Sequence, residues 1–148
     1  MKKADLKFST VFAGLLLLAA FLCGCLPKES VELRPGVRWE YVDYTHSKLI
    51  FDNGEVLGPA DNISLRIRDD CIFGEYHDDE GNTSFFVFEF KGRKLRRNLD
   101  VFETAKYISA KDVSVFSGLY NQVEILGNLK SPEKVERLLR GEPNEESK

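Results

Sequence analysis

The chain has 148 residues, 30% of them charged and 43% hydrophobic, with 21 basic and 24 acidic side chains and a net charge of −3. That length suits one ordinary domain, and mild acidity argues against a general nucleic-acid binder. Two histidines and three cysteines leave little room for histidine-rich metal sites or a disulfide framework.

The first predicted element is a leader. Lys2, Lys3 and Lys7 precede an apolar run from Val11 to Leu22, and Cys23-Gly24-Cys25 follows it. A positive start, a short apolar stretch and a small residue before the cut form an export signal. The competing reading is an uncleaved membrane-spanning helix, which needs roughly 20 apolar residues. A run stretched from Phe8 to Leu26 would include Ser9, Thr10 and Gly14 and would stop at Pro27.

The ending Leu22-Cys23-Gly24-Cys25 resembles the lipobox of bacterial lipoproteins, a likeness confined to residues 1–25. It implies that residues 1–24 are a signal peptide and that Cys25 takes a diacylglycerol thioether, gains a fatty chain such as palmitate and becomes the mature N-terminus. At about 0.8 kcal/mol per buried CH₂, two or more chains anchor a protein stably where one does not. The membrane is therefore an expected partner through Cys25. Leu26 stands where an aspartate would favour inner-membrane retention, so the resemblance implies the outer membrane, facing the periplasm, in a host with two membranes.

Residues 25–36 contain Pro27 and Pro35 and read as an extended, lipidated tether. Residues 37–140 read as a single domain, and residues 141–148 as a disordered acidic tail. Without Lys2, Lys3, Lys7 and Asp5 of the leader, 18 basic and 23 acidic side chains remain, a net charge of −5. Cys71 is then the one thiol outside the signal and the anchor. Its neighbours Ile72 and Phe73 suggest burial as an inert core residue, with an intermolecular disulfide as the alternative.

From Val37 to Phe90, turn residues punctuate short β-branched and aromatic segments, the pattern of successive strands. Val37 to Tyr44 carries Trp39, Tyr41 and Tyr44. Lys48–Phe51 and Glu55–Leu57 flank Asn53-Gly54, which predicts a hairpin with a type I′ turn. Gly58 to Asn62 reads as a loop. Ile63, Leu65 and Ile67 alternate with Ser64, Arg66 and Arg68, the period-two pattern of a half-buried strand. Cys71–His77 and Thr83–Lys91 follow as strands. In the second, Phe86, Phe88 and Phe90 point one way and Phe85 and Val87 the other, predicting a central strand covered on both faces.

After Gly92, Leu99, Phe102, Ala105 and Ile108 recur at helical spacing with Asn98 as N-cap. Asp112–Phe116 and Gln122–Leu126 read as further strands. Ser131-Pro132 opens a terminal helix that Gly141 stops. Together these predict an α+β domain: a mainly antiparallel sheet of five to seven strands with one or two short helices towards the C-terminus.

No catalytic, cofactor or metal motif emerges. Cys71 and His77 lie roughly 20 Å apart along a strand, leaving Glu75 and His77 as at most two metal ligands. Asp78, Asp79 and Glu80 lack the spacing of a calcium loop and read as a solvated hairpin tip. Lys91, Arg93, Lys94, Arg96 and Arg97 place five positive charges within seven residues, suited either to anionic headgroups or to a solvated loop balanced by the acidic tail. Trp39, Tyr41 and Tyr44 do not share one face, which favours core packing over a binding patch.

The expected function is a non-catalytic binding or accessory module of the cell envelope, with an unidentified envelope protein as partner. The alternatives are a protective lipoprotein of the immunity or exclusion type and an envelope hydrolase using His46 or His77.

Overall fold

The computed structural model describes residues 29–127 and 131–147. The leader, Cys25 and residues 26–28 of the expected tether lie outside them. The fold is α+β. Seven antiparallel strands follow one another in sheet order: β1 (Ser30–Arg34), β2 (Val37–Tyr41), β3 (His46–Phe51), β4 (Val56–Ile67), β5 (Cys71–His77), β6 (Thr83–Glu89) and β7 (Lys94–Leu99). A two-residue strand, β8 (Tyr120–Asn121), pairs β4 beyond the reach of β3. Three short helices come late: α1 (Val101–Tyr107), α2 (Gln122–Leu126) and α3 (Pro132–Leu139).

The meander rolls up. Phe51 of β3 stacks on Phe88 of β6 with ring centroids 4.1 Å apart, although two strands separate them in the sheet. The inner face buries Leu33, Trp39, Leu49, Leu57, Ile63, Leu65, Ile67, Ile72, Phe86 and Phe88, and the open side is closed by Ile125 and Leu126 of α2 and Leu138 of α3. A smaller cluster lies on the outer face of β5 and β6. There Cys71, Phe73 and Val87 pack under Ile108, Leu119 and Phe116, the last from a 3₁₀ turn at Val113–Gly118. The β6 faces divide as the phenylalanine pattern predicts, but the strand is the penultimate one, and its outer cover is helical.

Several local expectations are overturned. Only Gly54 of Asn53-Gly54 has positive φ, so the β3–β4 turn is not type I′; the Gly54 amide donates to the Phe51 carbonyl at 3.0 Å, closing a tight turn over Asp52-Asn53. The segment Gly58–Asn62 is not a loop but the bulged middle of β4. Gly58 adopts φ +95°, and a side chain there would meet the Ser47 carbonyl. The tether is shorter than expected, since residues 30–34 form β1 and the Tyr41 amide donates to the Glu29 carbonyl at 2.8 Å.

Asp100, not Asn98, caps α1, through a capping box with Glu103. Asn98, at φ +57°, and Leu99 belong to the end of β7, and Phe102 is 74% exposed. Asp112–Phe116 contributes to the 3₁₀ turn instead of a strand. Gln122–Leu126 is a helix, capped by Asn121 and Glu124. Helix α3 begins and ends where expected, with Gly141 at φ +77° donating to the Leu138 carbonyl in a Schellman turn. Of the segment read as a disordered tail, residues 141–147 are folded instead. Asn144 is buried and donates to the Leu119 carbonyl, while Glu142 pairs Arg137 and Arg140 and Glu146 pairs Lys134.

One polar chain crosses the core. Trp39 Nε1 donates to Ser47 Oγ at 2.9 Å, Ser47 Oγ donates to Gln122 Oε1 at 2.7 Å, and Gln122 Nε2 donates to the Tyr44 carbonyl at 3.1 Å. Gln122→Leu strands the buried Ser47 hydroxyl and the Tyr44 carbonyl, and is expected to cost about 1–3 kcal/mol in urea unfolding. Gly74→Ala drives a methyl into the Ser64 carbonyl of β4 and is expected to lower the urea midpoint at unchanged m-value, a loss of ~1–3 kcal/mol in unfolding free energy. Wild-type midpoints would refute these two assignments.

Candidate functional site

The five basic residues do not form one patch. They fall on the β6–β7 hairpin and along β7, a charged edge strand of the kind that resists edge-to-edge pairing. Arg93 pairs with Asp52 across to the β3–β4 turn. Arg96 is held by Glu89 at 3.0 Å and lies over the Tyr107 ring, 4.4 Å from its centroid. Lys91, Lys94 and Arg97 are exposed and have no ion-pair partner among the described residues. Arg97 stands apart from the two lysines, beside a cleft of about 240 Å³ lined by Leu57, Pro59, Ala60, Tyr76 and His77. The acidic C-terminal segment does not balance this cluster, because its carboxylates pair with α3.

Both histidines are engaged at Nδ1. His46 Nδ1 lies 2.8 Å from Asp43 Oδ1 and 2.9 Å from Thr45 Oγ1 in the β2–β3 loop, with its side chain nearly half exposed. Asp43 Oδ1 also accepts the backbone amides of Thr45 and His46, so the carboxylate organises the turn. These hydrogen bonds, led by the one from His46, hold Asp43 down at about 2, and the same Asp43 bond raises the His46 imidazole. His77 Nδ1 faces Asn62 Nδ2 at 3.3 Å, and its cleft is lined by the carboxylates Asp78 and Asp79 but by no serine or threonine. Asp61 is in register with both His46 and His77 and has one buried carboxylate oxygen without a hydrogen-bond partner. Among the described residues, no group of three or more histidine, cysteine, aspartate or glutamate side chains is placed to hold a metal ion.

Other candidates resolve into architecture. Cys71 is buried, and its thiol is pushed up to about 12 by desolvation, with the nearby Asp70 carboxylate adding to the effect. Burial likewise raises Glu75. Asp78 turns its carboxylate back on the Glu80 and Asn82 amides at 3.0 and 2.8 Å, which is hairpin chemistry rather than calcium chemistry. Trp39 is fully buried, Tyr41 packs on the core, and Tyr44 is 69% exposed. A second cleft, of about 320 Å³, lies under Arg34, Pro35, Phe88, Phe90 and Arg93, with the Arg34 guanidinium 5.8 Å from the Phe90 ring centroid. Residue patterning did not reveal this cleft, because it forms only when the end of β1 meets the end of β6.

Among the described residues no helix is long and apolar enough to cross a membrane. No family model matches the chain, and no curated protein or solved structure matches it either.

The Asp43–His46 pair has a defined pH window. Folding favours protonated His46, so that contribution is present at low pH and is lost as pH rises through its raised value. Folding favours ionised Asp43, so its contribution is lost as pH falls towards about 2. In an NMR titration, Asp43→Asn is expected to lower the His46 midpoint. An unchanged midpoint would contradict the pairing.

Proposed function

We propose that this chain is a lipid-anchored protein of the bacterial cell envelope, fastened through Cys25, whose α+β domain works by non-catalytic contact with another envelope component. The observation that carries the anchor is the leader with its Leu22-Cys23-Gly24-Cys25 ending. The start of the domain supports it: Glu29 is already bonded to β2, so three residues, Leu26 to Lys28, and four residue steps link the folded part to the anchoring cysteine. At 3.3–3.6 Å per residue that link spans about 14 Å at most, a distance that keeps the domain at the membrane surface.

Contact rather than catalysis is favoured by what surrounds His46. His46 has its carboxylate and hydroxyl on the same ring nitrogen, whereas a nucleophile and an orienting acid need opposite nitrogens. The pair therefore fits a turn better than a catalytic relay.

Acyl labelling in cells tests the anchor. The wild-type chain is expected to incorporate a fatty-acid label and migrate at the size of the cut form, while Cys25→Ser takes no label and keeps its leader. An unlabelled wild type, or equal labelling of the variant, would overturn the proposal.

A further inference from the structure

The rolled sheet has two poles. At one pole, the Glu29 carbonyl accepts the Tyr41 amide, the Thr45 carbonyl accepts the Asn62 amide, and Asp61 is in register with His46 and His77. The start of β1, the β2–β3 loop and the β5–β6 hairpin therefore lie together. At the other pole, Arg34 reaches Phe90, Asn53 donates to the Arg93 carbonyl at 2.8 Å, and the Leu95 amide donates to Glu55 at 3.2 Å. Five residues of β1, roughly 17 Å at 3.3 Å each, run from the first pole towards the second.

The chain enters at the first pole, beside the loop Val42–Thr45. That loop exposes Val42 by 48% and Tyr44 by 69%. Its one carboxylate, Asp43, is itself more than half exposed but is paired with His46 and two backbone amides, which offset its charge beside the apolar and aromatic side chains of the tip. A tyrosine on such a tip suits the headgroup layer, where an apolar ring and a polar hydroxyl both find their surroundings. The β5–β6 hairpin shares this pole but carries Asp78, Asp79 and Glu80. Anionic headgroups repel those charges, so the domain leans on the other loop.

Resting on the anchor reading above, we propose that Val42 and Tyr44 are the domain's own contact with the bilayer that holds Cys25. The hairpin bearing Lys91 and Lys94 then points away from that membrane, and with it the cleft under Arg34 and Phe90. The short link makes this geometry specific: with about 14 Å between Cys25 and Glu29, the nearest exposed apolar side chains are the ones beside the entry point.

The test uses the full lipidated chain reconstituted into phosphatidylcholine vesicles with or without brominated acyl chains. Tyr44→Trp and Lys94→Trp are compared; both positions are exposed, and the native Trp39 is buried and serves as the constant background. Tyr44→Trp is expected to shift its emission to the blue and to lose most of it to brominated lipid, while Lys94→Trp keeps its emission. Protein that floats with the vesicles but shows no quenching at position 44, or stronger quenching at position 94, overturns the orientation and leaves the anchor standing. A blue shift without bromine quenching means that protein, not lipid, covers the loop, and also overturns it. Protein that does not float overturns the anchor and the orientation together.

Discussion

A twelve-residue strand paired along both edges can serve three partners only if it bends, and β4 bends twice. Along one edge it pairs β3 and then β8; along the other it pairs β5 from Asp61 to Ile67. The register slips between Ser47 and Leu49 on the β3 side and between Asp61 and Ser64 on the β5 side. Each bulge adds bend and right-handed twist. The result carries β3 over β6, so that Phe51 and Phe88 stack and the inner face closes into a core. Positive φ at Gly58 and Asn62 marks the two bends, and at Gly58 only a residue without a Cβ fits against Ser47.

The helices depend on that sheet. Five and seven residues are too few for an isolated helix to persist in water. Helix α2 is held by its capping box and by Gln122, which reaches into the sheet to bond Ser47 and the Tyr44 carbonyl. Helix α1 is closed at its C-terminal end by Arg68 of the β4–β5 turn, whose Nη1 donates to the Ile108 carbonyl at 2.6 Å. The C-terminal segment is fixed by Asn144 and by the ion pairs of α3, and Arg66 of β4 reaches the Gly141 carbonyl from the sheet. The contacts of Gln122, Arg68, Asn144 and Arg66 join residues far apart in sequence, which is why the segments after residue 99 are held against the sheet of residues 30–99.

That division explains what was legible in the sequence. Alternation in Ile63-Leu65-Ile67 and in Phe85 to Phe90 states which face each residue takes, because a strand with one buried face leaves a period of two. The Gly58–Asn62 segment carries the same composition as a loop, and only its pairing to two neighbours makes it a bulged strand. Short apolar runs such as Gln122–Leu126 do not separate helix from strand by pattern alone. Here the local signal existed: Asp100-x-x-Glu103 and Asn121-x-x-Glu124 are capping boxes. At the candidate sites, sequence brought Lys91 to Arg97 together, but strand geometry and ion pairing divide them. The cleft under Arg34 and Phe90 had no sequence signal, since its walls lie more than fifty residues apart.

The chain's polar residues look like reagents and behave like braces. Asp43, Asp78, Asp100, Asp112 and Asn121 each accept backbone amides at a turn or helix start. Such a side chain is committed to holding its turn, and at Asp43 these bonds also hold the carboxyl at about 2, which leaves it a weak base. The same hydrogen bonds pair the charge on one loop tip and leave the other tip more strongly acidic. At the β2–β3 loop Val42 and Tyr44 are exposed beside an Asp43 paired with His46, and at the β5–β6 hairpin the exposed side chains are Asp79 and Glu80. Two tips at one pole thus differ in the property that a membrane surface discriminates most sharply, and the chain enters beside the apolar one.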